Sequence, residues 1–176
     1  MKVEVALASS DHQPWIGAKI QSYLAELSKF VSIEKNFEGQ YDYPYLDHYW
    51  REPDRHPFII YLNNEAVGFL LVREDMDPTD GTSLTEISEL YILPEFRQRS
   101  VASSAIKKVL GFFPGNWRAA VLPNNEVGCS FWKQLISVLD PNFTVASVTS
   151  PKNQQVVFSF TTCPSLNGRP SPRRSN

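Results

Sequence analysis

The residues able to do chemistry concentrate in one run, Thr85 to Leu110, TEISELYILPEFRQRSVASSAIKKVL. Two carboxylates, Glu86 and Glu89, stand on a strand-like stretch, and two guanidinium groups, Arg97 and Arg99, stand just ahead of the small residues Ser100, Ala102 and Ser103. The first N–H groups of a helix have no partner within it and carry about half a positive charge. A tight basic loop feeding such a helix is therefore suited to a phosphate or pyrophosphate, and small side chains let the ligand approach the backbone. The competing reading is an exposed turn followed by a surface helix. Glu86 and Glu89 can likewise be read as proton acceptors or as solvated carboxylates that merely attract cations.

Other reactive side chains form no comparable group. Cys129 has no histidine paired with it by sequence and reads as a small buried thiol. His12, His48 and His56 lack H-x-x-x-H spacing, and G-x-S-x-G, G-x-x-x-x-G-K-[ST] and G-x-G-x-x-G are all absent. Hydrolase, nucleotide-kinase and metal readings thus lack support, and no metal is expected.

The elements that must position the run follow from periodicity. Val3–Ala8 alternates as a strand, and Ser10 or Asp11 then caps an amphipathic helix through Phe30, with Ile16, Ile20, Tyr23, Leu24, Leu27 and Phe30 on one stripe. Residues 41–50 are aromatic-rich and read as a short helix or irregular segment. Pro57–Leu62 and Ala66–Arg73 form a hairpin across Asn63-Asn64-Glu65. Glu74 to Glu89 holds six acidic residues and no basic one, first as a loop and then as the strand Leu84–Leu93. A helix Val101–Phe112, a strand Trp117–Leu122, a helix Asn125–Val138 and a closing hairpin of Phe143–Ser147 with Gln154–Phe160 complete the order. This predicts an α/β fold with a mixed, largely antiparallel central sheet flanked by helices. Residues 1–161 are expected to be one domain, and 162–176, rich in Pro, Ser and Arg, a disordered tail.

Seventeen basic against nineteen acidic residues argue against a dedicated nucleic-acid or membrane-surface partner. Two scattered cysteines, no leader-like apolar segment and no long apolar run point to a cytoplasmic protein.

The segment Leu-Pro-Glu-Phe-Arg-Gln-Arg-Ser-Val-Ala resembles the acetyl-CoA loop of the GNAT superfamily of N-acetyltransferases, whose pattern is Q/R-x-x-G-x-G/A. Arg97 and Ala102 fill its first and last positions, and Ser100 stands where glycine is usual. A second segment, from Leu122 to Trp132, is similar to the family's N-x-x-A-x-x-(F/L)-(Y/W) element through Asn125, Gly128, Phe131 and Trp132. The resemblance implies a GNAT-like fold and acetyl-CoA as co-substrate. It places the pyrophosphate on the loop and helix start, Arg97, Gln98, Arg99, Ser100, Val101, Ala102 and Ser103. It sets the pantetheine arm along Leu90, Tyr91, Ile92 and Leu93, and gives Asn125, Phe131 and Trp132 to the same ligand. It also implies Glu86 as general base, from its spacing of eleven residues before Arg97, with Glu89 as the alternative. A strand N–H near Tyr91 or Ile92 would polarise the acetyl carbonyl. The family's frequent tyrosine acid is replaced by Trp132, so Tyr91 or Ser130 is left to protonate the thiolate. Serine in a left-handed position would cost roughly 1 kcal/mol.

In that fold the acceptor cleft is walled by the early helices and sheet loops, here Tyr43, Tyr45 and Trp50 and the acidic Asp75, Asp77 and Asp80. Carboxylates and aromatic faces attract ammonium groups. The expected acceptor is a primary amine of a small cationic molecule, an aminoglycoside antibiotic or polyamine. A peptide or protein amine and a catalytically weak acyl-CoA-binding domain are the alternatives, and a homodimer is compatible with the resemblance.

Overall fold

The computed structural model describes residues 2–149 and 153–163. Seven strands, β1 (Val3–Leu7), β2 (Arg55–Leu62), β3 (Glu65–Met76), β4 (Ser83–Ile92), β5 (Gly115–Val121), β6 (Thr144–Thr149) and β7 (Gln154–Thr162), form one sheet in the order β1-β2-β3-β4-β5-β7-β6. Among the described residues four helices accompany them: α1 (Gln13–Leu27), α2 (His48–Arg51), α3 (Val101–Leu110) and α4 (Glu126–Leu139). All pairings are antiparallel except β4 with β5.

The sheet is covered on both faces because β2 and β3 carry apolar runs, Phe58–Ile60 and Phe69–Val72, buried at every position. Period-2 alternation sends Phe58, Ile60, Leu70 and Val72 to the face packed by α3 and α4. Ile59, Phe69, Leu71 and Tyr91 go to the other, against Ile16, Ile20 and Leu24 of α1 and Tyr49 of α2. The β2–β3 turn is a two-residue connection with both asparagines left-handed, Asn63 at φ 49° and Asn64 at φ 69°, the geometry that matches strand twist. Gly68 is required by close approach, since a Cβ there would lie 2.3 Å from the Tyr91 carbonyl oxygen.

Several boundaries differ from the sequence reading. A short 3-10 turn, Ser10–His12, precedes α1, neither Ser10 nor Asp11 caps it, and the helix ends at Leu27 rather than Phe30. Of residues 41–50, only those from His48 onward are helical, and that helix runs to Arg51. β3 continues to Met76, so most of the acidic segment belongs to a hairpin rather than a loop. β7 runs to Thr162, opposite Gly115, which moves the start of the expected tail; residues 164–176 lie outside the described residues. Among the described residues, no helix is long and apolar enough to cross a membrane.

Candidate active site

The site begins where β4 and β5 part. Their parallel pairing covers only Leu84–Ile87 against Asn116–Ala119, and β5 then follows β7. At the same level β4 carries a bulge: Val72 faces Ile87 and Leu71 faces Glu89, leaving Ser88 as the extra residue. A bulge bends its strand and re-aims the side chains beyond it. Glu86 and Glu89, three apart, would otherwise point to opposite faces, but the bulge brings both to the face of α1 and α2. Beyond it the β4 edge opposite β3 is open, and a cleft of about 1660 Å³ occupies the gap.

One wall of the cleft is the start of α3. Ser100 has φ 57° and ψ 16°, so the position that resembles the family glycine does need a left-handed backbone, and the helix begins immediately after it. Its side chain makes no capping hydrogen bond. Val101, Ala102 and Ser103 therefore present first-turn N–H groups, and these residues, with Arg97, Gln98 and Ser100, border the cleft. Leu90, Tyr91 and Ile92 line it from the open β4 edge; Leu93 instead packs against the α1-side core and donates its N–H to Val67 O at 2.9 Å.

The two loop arginines divide their work. Arg97 turns back, donating from Nε to Ile92 O at 2.8 Å and from Nη2 to Glu26 Oε1 at 2.8 Å, with its guanidinium over the Tyr91 ring. It staples the loop to α1 and to the end of β4 instead of reaching outward. Arg99 is exposed over Phe96 and is absent from the cleft lining, whereas Lys107 of α3 borders the cleft. On the opposite wall Asn125 accepts the Gly128 N–H at 2.9 Å and so caps α4, while Phe131 and Trp132 pack edge to face. Trp132 is buried in the core and also borders the cleft. Burial pushes the Cys129 thiol up, which disfavours a thiolate nucleophile.

The two candidate bases have opposite environments. Glu86 is bound by Arg118 from Nε at 2.7 Å and Nη2 at 2.5 Å, and by Arg73 Nη2 at 3.4 Å. Both of its carboxylate oxygens are thereby engaged by guanidinium donors. Among the described residues no cation pairs with Glu89: the Tyr43 hydroxyl donates to it at 3.0 Å and Tyr23 also hydrogen-bonds it. Burial, only partly offset by these bonds, raises it to about 7. The Tyr23 and Tyr43 hydroxyls are themselves pushed up, by burial first and by Glu89 second, and remain protonated donors. Tyr91 places its hydroxyl 3.5 Å from Glu26 and is raised mainly by burial.

The predicted acceptor wall is only partly assembled. Tyr43 and Tyr45 line the cleft, but Trp50 donates from Nε1 to Ala8 O and Ser9 O, which fixes the β1–α1 connection, and is absent from the lining. Asp75 pairs with Arg73 at 3.2 Å, and Asp77 and Asp80 accept from Thr79 and Thr82 within the β3–β4 turn. None of the three aspartates faces the cleft. Turn geometry accounts for Asp77 and Asp80, each accepting from the backbone N–H two residues on, while Asp75 accepts from the adjacent Met76 N–H. Sequence reasoning missed Tyr23, Tyr49, Arg55, Arg73 and Arg118, which do line it. The one sequence signal for them was the isolated arginine ending an apolar strand run at Arg73.

A split parallel strand pair and a left-handed turn before a helix start without a side-chain cap suit an acyl-CoA ligand. The GNAT acetyltransferase family model matches residues 22–135, and the chain belongs to that family. It is an acetyl-CoA-dependent N-acetyltransferase. None of the curated proteins matches it. An acetyltransferase from Thermus thermophilus shares its fold at TM-score 0.62 and 12% identity, over 92% of this chain and 97% of that one. An aminoglycoside acetyltransferase, AAC(6')-Ib, in complex with coenzyme A gives 0.62 and 14%, over 91% and 95%. Arabidopsis thaliana Naa50 in complex with the bisubstrate analogue CoA-Ac-MVNAL gives 0.59 and 16%, over 92% and 99%.

Proposed function

We propose that this protein acetylates a primary amine by direct attack, with Glu89 rather than Glu86 as the general base. The observation that carries this is the Glu89 carboxyl, paired with no cation among the described residues, raised to about 7 and lining the cleft where β4 leaves β5. A base that titrates near the working pH is both available and strong enough to matter. The residues present fit acetyl-CoA: first-turn N–H groups at the start of α3, Lys107 on the same helix bordering the cleft, Arg99 exposed in the loop ahead of it, and an open strand edge. When bound, acetyl-CoA supplies the thioester that the amine attacks.

Glu89 takes one proton from the incoming ammonium group. The freed nitrogen pair forms the C–N bond, the C–S bond breaks with its electron pair left on sulfur, and the second nitrogen proton neutralises the thiolate. A thiol titrates near 8.5, so its anion leaves without obligatory acid help. Tyr43 and Tyr23 fix the orientation of the Glu89 carboxylate, and the open-edge N–H of Ile92 on β4 polarises the carbonyl.

The cationic acceptor expected from sequence loses its main support, since Asp75, Asp77 and Asp80 stand outside the cleft. Tyr43 and Tyr45 remain as aromatic walls, which suit a small amine or a peptide N-terminus. The test is thiol release from acetyl-CoA across aminoglycosides, polyamines, amino acids and peptides. Turnover that falls at least 100-fold in Glu89→Gln with acetyl-CoA affinity retained supports the reading. Silence across the panel with tight acetyl-CoA binding favours an acyl-CoA-binding domain instead.

A further inference from the structure

The acceptor end of the cleft carries a row of charge running across four strands. Register places Arg55 opposite Arg73, Arg73 opposite Glu86, and Glu86 beside Arg118. All four residues line the cleft, so one transverse line presents three guanidinium groups and one carboxylate to it. Like charges directly opposed on neighbouring strands destabilise a sheet, and Arg55 against Arg73 is such a pair.

The row is neutralised incompletely on the side that faces the cleft. Glu52 binds Arg55 at 2.5 Å, and Asp75 lies 3.2 Å from Arg73 and 3.9 Å from Arg118, yet neither carboxylate lines the cleft. Glu86 is shared between Arg73 and Arg118. Arg73 and Arg118 keep 31% and 27% of their side chains exposed and border the cleft, while Nε of Arg73 is enclosed and has no partner among the described residues. A guanidinium offers five donors in a fork that fits a carboxylate, so the exposed donors of these two arginines point to an acceptor oxygen supplied from outside the chain.

Distance within the sheet fits a bifunctional ligand. Glu89 faces Leu71, and Arg73 lies two residues further along β3 on the same face. That is one pleat repeat, roughly 7 Å. Tyr43 and Tyr49 stand beside the row and give the stretch between the two charges an apolar wall.

We propose that Arg73 and Arg118, with Arg55 beside them, form a carboxylate-binding subsite, and that the acceptor is an amine carrying a carboxylate several bonds away on the same molecule. This rests on amine acetylation assisted by Glu89 and names the substrate class of that site. Free ω-amino acids and peptides ending in such a residue share this chemistry.

The experiment compares matched pairs that differ only in the carboxylate: lysine with cadaverine, and glycyl-lysine with its C-terminal amide. Thiol release is measured at pH 8 for the wild type, Arg73→Gln and Arg118→Gln. The expected result is kcat/KM at least tenfold higher for each carboxylate member, with that ratio falling at least tenfold in either variant through KM. Preference for lysine over glycyl-lysine assigns a free amino acid, and the reverse assigns a peptide end. Equal rates within each pair, or preference for the carboxylate-free member, overturn the proposal. If no compound releases thiol, acetyl transfer itself fails, and the same compounds are tested as ligands of the full chain with CoA. A rise in Tm with lysine that cadaverine does not give, and that Arg73→Gln abolishes, then supports the subsite; equal shifts overturn it.

Discussion

Glu89→Gln separates the cost of the proposed base from its use. Glu89 titrates near 4.5 in an unfolded chain and near 7 in the fold, chiefly through burial. Between those values the folded state keeps a proton that the unfolded state has released. Its contribution to stability is therefore greatest below pH 4.5 and is lost as pH rises toward and past 7. At 1.36 kcal/mol per pH unit the loss totals about 3 kcal/mol, of which about 2.5 falls between pH 5 and 8. Glutamine is isosteric and neutral throughout, and its carbonyl still accepts from Tyr43. Thermal melts across this range should show the variant's stability curve flatter than the wild type's, with its Tm higher at pH 8 by roughly 5–10 °C. Parallel curves for the two proteins would refute the raised carboxyl and, with it, the reason for choosing Glu89 over Glu86.

Three further outcomes follow from the same geometry. Ser100→Gly should relieve the left-handed strain and stabilise by about 0.5–1 kcal/mol, while Ser100→Val should lower Tm, read by denaturant melts. Gly68→Ala forces a Cβ against the Tyr91 carbonyl and should cost about 1–3 kcal/mol, and calorimetry should find weaker acetyl-CoA binding because the open β4 edge shifts. Arg99→Ala should weaken acetyl-CoA binding with a reduced salt dependence, whereas Glu26→Gln, which removes a carboxylate bordering the cleft and frees Arg97, should steepen the salt dependence.

The fold was legible where local pattern and tertiary need agree. Val101–Leu110 and the Asn63-Asn64 turn are readable because helical period and left-handed asparagines each admit one structure. The α1 stripe of Ile16, Ile20 and Leu24 is readable for the same reason, though Phe30 fell outside the helix. The loop and helix start proposed to hold the pyrophosphate were also legible as structure, because they are consecutive residues: the loop, its left-handed serine and the first turn of α3. The acceptor half was not. The bulge at Ser88 depends on register with β3, and no local pattern encodes which of Glu86 and Glu89 meets Arg118 across the sheet. Tyr23, Tyr43 and Glu89 come from three distant segments, and the acidic segment drew attention to a hairpin turn whose carboxylates are already satisfied.

The most direct measurement is the pH profile of thiol release from acetyl-CoA with a saturating amine, for the wild type, Glu89→Gln and Glu86→Gln. Wild-type turnover should rise through about pH 7 as the Glu89 carboxyl loses its proton. Glu89→Gln should lose at least 100-fold and this limb of the profile, and Glu86→Gln should keep the limb. A profile that keeps its rise near 7 in Glu89→Gln and loses it in Glu86→Gln would contradict the assignment of the base.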